Sequence, residues 1–124
     1  MPADLTTRAD IDALLLAFYS RALHDDQLGP VFAAAQMDLA THLPRIGDFW
    51  EVSLLGTGDY SGRPMQLHAH LAEAAGLLPE LFDRWLELWH ETLGELFHGP
   101  TADRAGTDAI RMASGMRRAI FPGD

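Results

Sequence analysis

The sequence predicts an all-α domain. Three observations carry this: apolar residues recur every three or four positions along four long stretches, Gly and Pro cluster between those stretches, and no useful length of apolar–polar alternation occurs. At 124 residues, the chain fits one domain over residues 1–124, with one core and about two-thirds of the unfolded surface buried.

Each element has its own signals. Thr6 and Thr7 are candidate N-caps, with Asp10 and Asp12 suited to the first turn of a helix over roughly 7–24 that aligns Ile11, Leu14, Leu15, Phe18 and Ala22. Gly29-Pro30 reads as a stop, after which "VFAAA" forms one or two turns. Asp38 caps a second long helix with Leu39, His42, Ile46, Phe49 and Ser53 along one side and Leu43, Trp50 and Leu54 flanking it. Pro44 either moves the start of that helix to about Leu43 or kinks it. "GTGDYSGRP" reads as a loop, and Pro64 opens a short helix to about Glu73. Pro79 begins a third long helix whose stripe is Phe82, Trp85, Leu86, Trp89, Leu93, Leu96 and Phe97, ended by Gly99-Pro100. Thr101, with Asp103, caps a last helix carrying Ala105, Ala109, Met112, Met116 and Ile120.

Composition excludes several function classes. The formal charge of −9, with arginine as the only basic residue type, argues against a nucleic-acid partner, whose phosphates would be repelled. The longest apolar run, "ALLLAF", is far short of the roughly 20 residues that cross a bilayer, so no membrane association is expected. With no cysteine and no basic segment ahead of that run, the expectation is a cytoplasmic protein without disulfide or thiolate chemistry.

The six histidines hold the chemistry, because without cysteine only imidazole and carboxylate remain as strong metal ligands. His24 and His98 fall at predicted helix C-termini and His90 at the edge of an apolar stripe, and all three read as surface residues. His68 and His70 point about 200° apart on a helix and cannot share one site. His68 shares its face with Pro64, Met65, Leu71, Ala72 and Ala75 and points inward; His70 shares its face with Gln66 and Glu73 and points outward. From spacing alone, His68 is either a satisfied core histidine or a ligand. His42 is a second inward histidine, yet a metal held by protein atoms alone wants three or four ligands. Phe18, Phe32, Phe49, Trp50, Phe82, Trp85 and Trp89 offer either an aromatic core or an apolar slot facing one axial histidine, which is what haem ligation needs. Burying several hundred Å² of porphyrin would give a gross stabilisation on the order of 10 kcal/mol.

"AFYSRAL", "DDQLGPVF", "HLPRIGDFW", "LLGTGDYSGRPMQLH" and "FDRWLELWHETL", in this order from about Thr7 to Met116, resemble the truncated haemoglobins, specifically their third group. The single Gly29 of the first loop, in place of paired glycines, agrees with that group. The resemblance implies a two-on-two helical sandwich enclosing haem b. It puts His68 at the proximal iron ligand and Tyr19, Trp85 and His42 at distal positions that stabilise a bound ligand. It further implies that Arg45 pairs with a haem propionate and that Phe32, Ile46, Phe49, Trp50 and Met65 contact the cofactor.

The function implied is reversible binding of dioxygen, nitric oxide, carbon monoxide or peroxide at a pentacoordinate iron. Nitric-oxide dioxygenase or peroxidase-like chemistry, served by a reductase, is an extension of it. A pure carrier, a gas or redox sensor acting through a partner, and a cofactor-free helical interaction domain are the alternatives.

Overall fold

The structure is a computed structural model and describes residues 2–34, 38–58 and 79–121, the side chains of 119 and 120 excepted. The described residues contain five helices and no strand: α1 Arg8–Leu23, α2 Gly29–Ala34, α3 Leu39–Leu55, α4 Glu80–Leu96 and α5 Pro100–Ile120. None of them is long and apolar enough to cross a membrane.

Local chemistry explains where these helices begin and end. Thr7 closes a capping box on α1, its side chain accepting from the Asp10 N–H while the Asp10 carboxylate accepts from the Thr7 N–H. Gly29-Pro30 does not stop a helix but opens α2, because proline in a first turn gives up an N–H that has no intrahelical partner there. Asp38 caps α3 through the Ala40 N–H, and the helix ends at Gly56, whose φ of 71° suits a residue without Cβ. Pro44 sits inside α3 beyond its first turn, so the Ala40 carbonyl loses its usual intrahelical donor. Thr101 does not cap α5. The carboxylate of Asp4, in the N-terminal segment, instead accepts from the N–H groups of Thr101 and Ala102 at 3.0 and 2.8 Å. The predicted helix over 64–73 lies outside the described residues.

Helix α1 packs on α3, and α4 packs on α5; α1 also crosses α4, and α3 touches α5. This is a two-on-two helical sandwich. Trp50, Trp89, Phe18, Ile11, Leu14 and Leu15 are fully buried at its centre. Every apolar residue expected to face inward from α1 is buried, and Tyr19 joins them. On α3 the predicted order reverses: Gly47, Trp50 and Leu54 are buried, His42, Ile46 and Phe49 are half-buried, and Ser53 is exposed. The sequence ranks apolarity along a helix but does not say which neighbouring stripe meets α1. On α4, Leu96 is exposed, whereas Leu88 and Thr92 are buried. Thr92 is tolerated there because its hydroxyl donates to the Leu88 carbonyl and accepts from Arg21.

Candidate haem pocket

The half-buried row on α3 and the facing side of α1 define the site. Tyr19 is 5% accessible, and its hydroxyl lies 3.4 Å from Nε2 of His42, with the two rings edge-on at 5.4 Å. That separation is long for a hydrogen bond involving a hydroxyl. The Tyr19 ring also meets Phe18 at 5.0 Å and Phe32, from α2, at 6.0 Å. Burial pushes the phenol's pKa upward, so the hydroxyl keeps its proton and stays a donor. A neutral, buried O–H beside an imidazole suits a site that stabilises a small polar group inside an aromatic wall.

Trp85 on α4 is half-buried and reaches this wall through Phe18, which it meets edge-on at 5.5 Å. The residue before it, Arg84, donates through Nε and Nη2 to one carboxylate oxygen of Asp25, at 2.9 and 2.6 Å, and through Nη1 to Glu87. The other oxygen of Asp25 accepts from the N–H groups of Gln27 and Leu28. These contacts, the Arg84 bond foremost, hold the Asp25 carboxyl below its ordinary pKa. The pair ties the turn after α1 to the start of α4 and so fixes Trp85 relative to Tyr19.

The structure therefore brings Tyr19 and His42 together directly, joins Trp85 to them through Phe18, and sets Phe32 against Tyr19. Ile46 and Phe49 continue the row beyond His42, half-buried. Trp50 is not in that row; it is buried, with its face stacked on Trp89 at 5.0 Å. Arg45 is exposed. His68 and Met65 lie outside the described residues, as does His70. His24, His90 and His98 are exposed, as expected, and the His90 ring nitrogens face the carbonyls of Leu86 and Gly106. Sequence reasoning missed the Asp25–Arg84 pair. The only local hint was the turn-forming character of "DDQLGP", and nothing in either segment points across the 59 positions between the partners.

No protein-family model matches the chain. It is, however, 31% identical over 102 residues to the group 3 truncated hemoglobin ctb of Campylobacter jejuni, an alignment covering 79% of this chain and 78% of that protein. The chain belongs to the group 3 truncated haemoglobins. Its fold agrees: it superposes on the crystal structure of the group III truncated hemoglobin from Campylobacter jejuni with a TM-score of 0.85 and 28% identity, covering 100% of this chain and 98% of that one. In this truncated haemoglobin, α1 and α3 carry the Tyr19–His42 pair, and α4 carries Trp85.

Proposed function

We propose that this truncated haemoglobin binds haem b and takes a diatomic ligand, dioxygen foremost, on the side of the iron that Tyr19, His42 and Trp85 face. The observation that carries this reading is the Tyr19–His42 pair. A buried hydroxyl and an imidazole are held 3.4 Å apart beside the rings of Phe18 and Phe32, close enough for both to reach one small polar ligand. The described residues fit a porphyrin: the half-buried row of His42, Ile46 and Phe49 offers a mostly apolar flank with one imidazole in it.

In this reading His68 would hold the iron, Arg45 would pair with a propionate, and Phe32, Ile46, Phe49 and Met65 would provide apolar contact, whereas Trp50 is buried behind them against Trp89. Haem supplies the redox-active iron at which the ligand binds. The Tyr19 hydroxyl would donate a hydrogen bond to the ligand's developing negative charge and keep its proton, since burial holds the phenol neutral. His42 orients that hydroxyl, and Trp85 closes the remaining side. The Asp25–Arg84 pair keeps Trp85 in place. Several donors around one ligand slow its escape, which favours reaction of bound nitric oxide or peroxide, with electrons from a reductase, over rapid delivery.

Titration with haemin tests the reading. An intense Soret band is expected with the unmodified protein and a weakened or absent one with His68→Ala. A chain that takes up no haem would end the proposal.

A further inference from the structure

The chain's three tryptophans form one continuous stack. Trp85 and Trp89, one turn apart on α4, lie with ring centroids 5.7 Å apart and planes 5° from parallel. Trp89 stacks in turn on Trp50 of α3, at 5.0 Å and 19°. Phe18 meets both Trp85 and Trp89 edge-on, at 5.5 and 5.2 Å, and walls the stack on the α1 side. Accessibility falls along it: Trp85 is half-buried, whereas Trp89 and Trp50 are 1% and 2% accessible.

We propose that this stack is a relay that carries an oxidising equivalent away from the ligand pocket. The proposal rests on the haem reading in one respect only, that the oxidant is delivered at the Trp85 end. Indole is among the side chains most easily oxidised by one electron, and the chain has no cysteine to compete with it. Reduction of a peroxide at the haem takes up two electrons, and two protons from solvent, and yields water together with an alcohol or, from hydrogen peroxide, a second water. One electron comes from the cofactor and the other from Trp85, which is left as an indole radical cation. An electron then passes from Trp89 to Trp85 and another from Trp50 to Trp89. Each oxidised ring is restored in turn and the radical cation moves inward, with no bond made or broken. Two equivalents of a one-electron donor of the ascorbate class close the cycle, one discharging the relay and the other restoring the cofactor.

The surroundings of Trp89 suit this transfer. Its indole N–H donates to the main-chain carbonyl of Ala105 at 3.2 Å, and a carbonyl is far too weak a base to take that proton. The ring therefore keeps its N–H when oxidised, and the charge stays free to move. Burial of Trp89 and Trp50 also keeps away water, the base that would otherwise trap the radical by deprotonating it. Tyr19 is the competing donor, because its ring reaches the stack through Phe18 and its hydroxyl faces His42.

The test mixes haem-loaded protein, grown with ring-deuterated tryptophan, with hydrogen peroxide. Freeze-quench electron paramagnetic resonance and peptide mass spectrometry then locate the radical and the oxidised residues. A signal narrowed by the deuteration is expected, with oxidation products at Trp50 as well as Trp85. Trp89→Phe keeps an aromatic ring in place but interrupts the relay, so Trp50 products should be lost while those at Trp85 rise. Undiminished Trp50 oxidation in Trp89→Phe, or a signal that deuteration leaves unchanged, would overturn the relay. Should Trp89→Phe fail to fold, judged by melting, Trp50→Phe serves instead: oxidation should accumulate at Trp89 and Trp85, and an unchanged distribution there overturns the proposal. Failure of the haem reading shows separately, as a missing Soret band. Azide radicals generated by pulse radiolysis would in that event oxidise Trp85 in the purified protein, and identical radical decay with and without Trp89→Phe or Trp50→Phe would equally refute the relay.

Discussion

The Tyr19 hydroxyl and the His42 Nε2 stand 3.4 Å apart across the α1–α3 interface, and Tyr19 is 5% accessible. A donor this weakly engaged with its protein partner is free to strengthen its bond to a ligand that carries partial negative charge. Tyr19→Phe keeps the ring and its packing against Phe18 and Phe32 and removes only the donor. If the ligand accepts from this hydroxyl, its loss should cost about 1.5–3 kcal/mol of bound-state stabilisation, roughly a tenfold or larger rise in the dioxygen off-rate. Stopped-flow displacement of dioxygen by carbon monoxide measures this, and an unchanged off-rate would remove Tyr19 from the ligand site.

The Asp25–Arg84 pair leads to a pH prediction. Its carboxylate side chain is only 7% accessible, so Arg84→Met leaves a nearly buried charge with two backbone donors and no counter-ion. Because a quarter of Arg84 is itself exposed, the expected cost is about 1–3 kcal/mol, below that of a fully buried pair. The Arg84 bond, reinforced by the Leu28 and Gln27 N–H groups, lowers the folded-state pKa of Asp25. Its stabilisation is therefore complete above the unfolded-state value of about 4 and fades as pH falls through the lower folded-state value. Denaturant midpoints of wild type and Arg84→Met should differ at pH 7 and draw together only as pH falls from about 4 through the lower folded-state value. A gap that persisted at low pH would refute this linkage.

How much of this was legible in the sequence depended on how local each signal was. The α1 core face, the Asp38 cap and the start of α4 at Pro79 rest on spacing or on neighbouring residues, and the structure agrees with each. The resemblance puts Tyr19 and His42 each at a distal position, but their meeting across 23 positions is seen only in the structure, since no local pattern encodes it. Two local readings are overruled, each for its own physical reason. Gly29-Pro30 reads as a stop because the pair commonly ends helices, but proline is equally at home in a first turn. Thr101 reads as the cap of α5, but the orphan N–H groups there are satisfied from outside by Asp4, 97 and 98 positions away. A cap supplied by a distant segment leaves no trace in the residues around the helix start.

That distant cap is itself testable. The Asp4 carboxylate accepts from the Thr101, Ala102 and Leu5 N–H groups, which together outweigh its partial burial and lower its pKa. Asp4→Ala removes the acceptor from two otherwise unpaired helix donors and should cost about 0.5–2 kcal/mol. Asp4→Asn should recover part of this, since its amide oxygen accepts but carries no charge toward the helix N-terminus. Chemical denaturation of the three proteins at neutral pH provides the ranking, and an Asn variant no better than Ala would refute the capping role.

Arg8 and Gly47 set how closely α3 can approach α1, and they should behave as one unit. Arg8 donates to Asp12 on its own helix, to Asp48 and Glu51 on α3, and to the Pro44 carbonyl, all within 3.2 Å. The guanidinium lies against Gly47: a Cβ there would come within 2.5 Å of Nη2. Gly47→Ala therefore does not fill a gap but displaces the guanidinium from its carboxylates. The flexible arginine moves rather than the backbone, so the cost is the lost ion pairs, about 1 kcal/mol for a partly exposed cluster, offset in part by alanine's better helix propensity. Arg8→Ala should lose a similar amount. The double variant should cost clearly less than the sum of the two, because Gly47→Ala has already removed the contacts that Arg8→Ala deletes. Both singles should also lose most of their effect in high salt, where such pairs are screened. Additive losses, or losses insensitive to salt, would show that the close approach at Gly47 is a matter of packing alone and that Arg8 does not clamp the helix carrying His42.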